Sequence, residues 1–179
     1  MEIIRRAWPL FRQKYADLVP AWAIGTVERA LRRMPEIFRA LGAGPVTLTH
    51  GDFKLDNVLC DLPDTPLAIF DWQVPMRTPG ARDISWFLAR SLPVPQRRAD
   101  EDQLVGIYHT ELVEAGLRDY SLETLRRDIK LGILNTFLSV ILGGVNADFS
   151  SERGRQLIRA WIERNIAMLE DHDVWEALA

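Results

Sequence analysis

A mainly helical α+β fold is predicted for this 179-residue chain. Three observations predict it. Long stretches carry apolar residues at helical spacing, three short apolar runs crowd into residues 46–70, and glycine, proline or serine marks most boundaries.

Residues 3–17 read as the first helix, with Ile4, Trp8, Phe11 and Tyr15 at helical spacing. Pro9 lacks an N–H and should disturb this helix unless it lies in the first turn. A second helix is expected over 21–41, stopped by Gly42 and Gly44, with Pro35 expected to kink or divide it. Val46–Leu48, Val58–Cys60 and Leu67–Phe70 then read as short strands destined for burial. The last two should form a hairpin across Asp61, Pro63, Asp64 and Pro66.

Helices return at 82–91, closed by Pro93 and Pro95, and at 100–115, ended by Gly116. Ser121 is placed to cap a long helix carrying Leu125, Ile129, Ile133, Phe137 and Ile141 on one face, with Gly143–Gly144 as its end. Ser150 or Ser151 can cap a last helix, whose apolar stripe is Leu157, Ile158, Trp161, Ile162, Ile166 and Leu169.

Composition narrows the function. An apolar share of 47%, a charged share of 26% and a net charge of −3 are ordinary for a globular domain and argue against a nucleic-acid binder. The pairs Arg5–Arg6, Arg32–Arg33, Arg97–Arg98 and Arg126–Arg127 are offset by acids and read as solvated faces, as does the acidic tail Glu170, Asp171, Asp173 and Glu176. Cys60 is the only cysteine, which excludes an intrachain disulfide, and its apolar neighbours suggest a small core residue. No signal-peptide pattern opens the chain. The most apolar run, Leu131–Val145, is shorter than the roughly 20 residues of a membrane span. One cytoplasmic domain over 1–179, with no membrane or nucleic-acid partner, is the expectation.

The chemistry concentrates around the short strands. Asp52, Asn57 and Asp71 are two carboxylates and an amide on adjacent loops. Phosphoryl transfer needs a carboxylate to orient the attacking hydroxyl and take its proton, and oxygen ligands for the Mg²⁺ that neutralises phosphate charge. The amide supplies an oxygen without a third negative charge. Local capping of turns by Asp and Asn is the plainer reading of the same residues.

The stretch His50-Gly51-Asp52-Phe53-Lys54-Leu55-Asp56-Asn57 resembles the catalytic loop of the aminoglycoside phosphotransferase and choline kinase-like group, which has protein-kinase-like folds. Ile69-Phe70-Asp71-Trp72-Gln73 resembles that group's metal-binding segment, and Arg82-Asp83-Ile84-Ser85-Trp86-Phe87-Leu88 its downstream bracing helix. All three occur in the family's order and spacing. The Asp-Trp-Gln ending and the long helices after it point to the ecdysteroid kinase-like branch.

The resemblance implies an ATP-dependent kinase acting on a hydroxyl of a small organic acceptor, with Mg²⁺ as cofactor. Asp52 would be the catalytic base, Asn57 and Asp71 the Mg²⁺ ligands. Lys54 stands where protein kinases carry a lysine near the transferred phosphate, a surface charge being the alternative. His50 would support the loop, and Asp83 would accept hydrogen bonds from its backbone.

The implied layout is a helical lead-in over 1–45, a catalytic and metal-binding core over 46–90, and a helical acceptor-side subdomain over 91–179. Kinases of this type clamp ATP with a β-rich N-terminal lobe carrying a phosphate-binding lysine. Of the three lysines, only Lys14 precedes the catalytic loop, and residues 1–45 hold no convincing sheet. The expectation is therefore a C-terminal lobe alone. It is a piece of a longer kinase, one half of a split kinase, or a remnant that binds nucleotide or ligand without turnover.

Overall fold

Residues 2–62 and 65–178 of a computed structural model are described, and they follow the expected order of elements with one addition. In chain order these are α1 (Glu2–Lys14), α2 (Ala21–Leu41), β1 (Val46–Thr49), β2 (Val58–Leu62), β3 (Thr65–Ile69), β4 (Met76–Pro79), α3 (Ala81–Ser91), α4 (Val94–Glu114), α5 (Leu122–Asn146) and α6 (Glu152–Asp171). Single 3-10 turns lie at Leu55–Asn57 and Glu176–Leu178. The fold is mainly helical, with two small antiparallel ladders.

β2 and β3 form the expected hairpin, although Pro63 and Asp64 at its turn lie outside the described residues. β1 pairs instead with β4, Val46 opposite Pro79 and Thr49 opposite Met76. Sequence patterning missed β4 because Met-Arg-Thr-Pro is neither apolar nor alternating, and a two-stranded ladder covered on few sides demands neither. The strands are also less buried than expected. Val46, Leu48, Leu59 and Leu67 are exposed, Leu48 by 68%, and Cys60 is exposed rather than a core residue. No second layer of the described chain covers those faces.

The core is built around α5, which packs against α1, α2, α3, α4 and α6. Leu125, Ile129, Ile133, Phe137 and Ile141 are all buried, and so are Leu131, Leu134, Leu138 and Val140 on the remaining sides. Each such burial contributes about 1.5–3 kcal/mol. At 25 residues α5 is long and apolar enough to cross a membrane, contrary to the estimate from Leu131–Val145, and 72% of its most apolar window is buried inside the fold. The helices around it absorb its apolar surface.

Prolines and glycines interrupt less than their local chemistry predicts. Pro9 and Pro35 lie inside the continuous helices α1 and α2. Each removes one helix hydrogen bond, a loss offset by burial of Trp8 and Phe11 in α1 and of Met34 and Ile37 in α2. Pro93 and Pro95 open α4 rather than close α3, because a missing N–H costs nothing in a first turn. Ser121 and Ser151 do cap α5 and α6, accepting from Thr124 N and Gly154 N, both at 3.1 Å.

Gly143–Gly144 does not end α5, which runs on to Asn146. Gly144 is where α1 approaches closest: a Cβ there would lie 2.7 Å from Phe11 Cε2 and 3.0 Å from Tyr15 Cε2. Its carbonyl accepts from Lys14 Nζ and Tyr15 Oη, each at 3.0 Å. Gly144→Ala is expected to destabilise the protein by about 1–3 kcal/mol through overpacking, despite alanine's better helix propensity. Chemical denaturation checks this, and an unchanged midpoint would refute the close approach.

Arg97 is structural rather than solvated, and the acidic tail, exposed as expected, supplies its partner. Arg97 is 3% exposed and pairs with Glu101 at 2.8 Å and with Asp171, which also receives Arg98 Nε at 2.8 Å. Lys130 pairs with Glu176 at 2.5 Å. Burial alone would raise the Asp171 carboxyl, but hydrogen bonds from Arg98 and Arg97 hold it below the usual aspartate range. A lowered folded-state value means stability present above the unfolded value and lost as pH falls through the folded one. Asp171→Asn should therefore lower the melting temperature at neutral pH and flatten its fall below about pH 4, as thermal melts across pH would read.

Candidate active site

The loop after β1 is fixed before any reactive group appears. Thr49 Oγ1 donates to Met76 O at 3.0 Å and lies 2.9 Å from Thr78 Oγ1, tying β1 to β4. Gly51 then turns the chain at φ 85°, and a Cβ there would meet Val74 O at 2.1 Å, so only glycine fits. Asp83, in the first turn of α3, accepts from His50 N at 2.6 Å and from Gly51 N at 3.0 Å. Arg82 Nη1 donates to Gly51 O at 3.4 Å.

His50 is buried and joins two loops. Its Nδ1 accepts from Asp52 N at 3.2 Å, which leaves Nε2 as the donor to Phe70 O at 2.8 Å. Trp72 packs on the ring at 4.6 Å between centroids. Asn57, also buried, donates through Nδ2 to Asp52 O at 2.9 Å and to Asp52 Oδ2 at 3.2 Å. Its backbone carbonyl accepts from Phe70 N at 3.1 Å. Phe70 is thus clasped through its N–H by Asn57 and through its C=O by His50.

Asp71 follows that clasp directly. It is the positive-φ non-glycine residue of the described chain, at φ 66°. Such a conformation costs on the order of 1–3 kcal/mol and persists where surroundings impose it, commonly at functional sites. Asp52 Oδ1 accepts from Trp86 Nε1 at 3.0 Å, and Oδ2 is paired with Lys54 Nζ at 2.5 Å. Lys54 is no surface charge: its side chain is 15% exposed and its Nζ lies 5.8 Å from the Trp161 ring centre.

An aromatic and cationic wall beside Asp52 was not legible in the sequence. Arg90 lies between Trp86 and Trp161, 4.0 and 4.3 Å from their ring centres, and is nearly buried. Burial lowers its guanidinium to about 10, against the attraction of Asp52 and with the repulsion of Arg82. Burial likewise lowers Arg82, whose charge Asp83 and Asp52 favour. Phe53 and Phe87 stack at 5.4 Å. The four-residue step from Trp86 to Arg90 on α3 was a usable signal; Trp161, on α6, carried none.

The donor set fits a metal only in company. Among the described residues no group of three or more His, Cys, Asp or Glu could hold a metal ion. Asn57 has its Nδ2 committed to Asp52, so Oδ1 is the atom left to serve as ligand. One amide oxygen and one or two carboxylates suit Mg²⁺, which binds few protein oxygens and completes its shell with phosphate and water.

These ties between a strand-end loop, a second loop after a hairpin and the first turn of a bracing helix belong to a kinase-like fold. Residues 1–120 match the model of the ecdysteroid kinase-like family, a member of the protein-kinase-like superfamily, and the chain belongs to that family. No curated protein and no solved structure matches the chain.

Proposed function

We propose that this chain is the catalytic lobe of a phosphotransferase that moves the terminal phosphate of ATP to a hydroxyl of a small organic molecule. The observation that carries the reading is the clasp of Phe70 between His50 and Asn57. It ties the loop bearing Asp52 to the residue preceding Asp71, as a shared phosphate site requires.

In this reading Asp52 orients the acceptor hydroxyl and takes its proton as the new O–P bond forms. Asn57 Oδ1 and the Asp71 carboxylate would hold Mg²⁺, which when bound neutralises charge on the phosphates. Lys54 would leave Asp52 for the terminal phosphate, exposing the carboxylate to the acceptor. His50 and Asp83 hold the loop, and α4 and α6 with Trp161 would border the acceptor. The exposed Leu48, Leu59, Leu67 and Trp72 support a partner lobe, joined or separate, over the strands.

A second reading rests on the state of Asp52. Both of its oxygens are engaged, by Trp86 and by Lys54, so the chain could bind nucleotide without turnover. Two measurements separate the readings: calorimetry with ATP and Mg²⁺, and phosphate transfer to a panel of alcohols and aminoglycosides. Transfer supports the kinase; tight binding without transfer supports the binding remnant; neither binding nor transfer defeats both.

A further inference from the structure

The slot between Trp86 on α3 and Trp161 on α6 lies beside Asp52. Trp86 Nε1 donates to Asp52 Oδ1 at 3.0 Å, and Lys54 Nζ, paired with Asp52 Oδ2 at 2.5 Å, is 5.8 Å from the Trp161 ring centre. The guanidinium of Arg90 fills the slot, 4.0 and 4.3 Å from the two ring centres. Paired indoles attract cations, and here the cation is the chain's own.

Arg90 is 6% exposed, yet among the described residues its guanidinium donates no hydrogen bond and meets no carboxylate. Its Nε is buried without an acceptor, whereas the two terminal nitrogens are not sealed in with it. Neighbouring cations are provided for: Lys54 has Asp52, and Arg82 has Asp83 at 3.9 Å. Asp52 attracts the Arg90 charge without pairing with it, since its oxygens are taken by Trp86, Lys54 and Asn57. Stacking on aromatic rings occupies the faces of a guanidinium and leaves its N–H edge, a fork that matches a carboxylate. A buried cation with no counter-charge is costly, so an anion that completes the pair is favoured. A cationic acceptor would instead meet Arg90 and Lys54 together, at the cost of like-charge repulsion.

We propose that Arg90 sets the acceptor class of this site: its terminal N–H groups take a carboxylate on the acceptor while the acceptor's hydroxyl lies at Asp52, so the substrate is a hydroxy acid. The inference rests on the phosphotransfer reading for the fate of the hydroxyl, and on the Trp86–Arg90–Trp161 arrangement for the anion.

Isothermal titration of the full chain without nucleotide tests it, with three probes that differ at one end: 6-hydroxyhexanoate, hexane-1,6-diol and 6-aminohexan-1-ol. The expected order of affinity is acid, diol, amino alcohol. Arg90→Met removes the charge and the fork at similar length, and acid binding should weaken about tenfold or more, the equivalent of one charge-assisted contact. Arg90→Lys keeps the charge between the indoles but not the fork, should fall between the two, and keeps the test open if Arg90→Met folds poorly. Absence of saturable acid binding at millimolar concentration, no preference for the acid over the diol, or a preference unchanged in every folded variant would overturn the proposal. So would variants that weaken ATP–Mg²⁺ binding while leaving the order of the three probes intact, which would assign Arg90 to the nucleotide phosphates. Transfer to 6-hydroxyhexanoate is read separately: the expected binding order without transfer would support the Arg90 anion site while defeating the phosphotransfer reading.

Discussion

Asp52→Asn is expected to lower phosphate transfer by about 10²- to 10⁴-fold, the usual contribution of a positioned general base. Thermal stability should change little. The asparagine retains an oxygen to accept from Trp86 Nε1, and its backbone keeps the bonds to His50 Nδ1 and Asn57 Nδ2. What disappears is the basic oxygen that can take a proton, with its ion pair to Lys54, whose side chain can relax toward solvent, and its 3.2 Å bond from Asn57 Nδ2, which keeps Asp52 O at 2.9 Å. Initial rates with saturating ATP and Mg²⁺, alongside melting curves, measure both effects. Equal activity in the variant would remove Asp52 from the mechanism and leave the binding reading in its place.

Asp83→Ala is expected to damage stability and activity together. Asp83 receives two charge-assisted hydrogen bonds from consecutive backbone N–H groups, at 2.6 and 3.0 Å. Removing the carboxylate leaves both donors unpaired where a Cβ at Gly51 would already collide with Val74 O. The expected loss is about 3–6 kcal/mol, from two charge-assisted bonds of roughly 1.5–3 kcal/mol each. Transfer should fall with it, because the loop that orients Asp52 is no longer pinned. Asp83→Asn keeps one acceptor oxygen and should fall between wild type and Asp83→Ala in both denaturation midpoint and rate. If Asp83→Ala matched wild type in midpoint, the loop would be held by something other than this carboxylate.

Much of the site could be read along the chain because its members are local. Asp52 and Asn57 meet through a hydrogen bond five residues long, and His50 reaches Asp52 N two residues away. Such spacings survive in a linear pattern, as do the serine caps of α5 and α6 and the helical stripe of α5. Trp86 is also legible in position, within the segment 82–88, but its role is not. The indole is aimed at Asp52 only because α3 is packed on α5, with Gly132 admitting Ser85: a Cβ at Gly132 would lie 2.0 Å from Ser85 Oγ.

Amino-acid order by itself determined the helical periodicity, the hairpin and the cluster of acids and amides after the first strand, since each is fixed by backbone chemistry within a few residues. Tertiary structure alone decided the rest. It paired β1 with β4, carried α5 past Gly144, buried Arg97 and put Arg90 between Trp86 and Trp161. It also left Leu48 and Cys60 exposed. The physical reason is that burial and charge pairing depend on which surfaces meet: a proline, glycine or arginine that looks disruptive or solvated alone is accommodated once a neighbouring helix supplies the missing contacts.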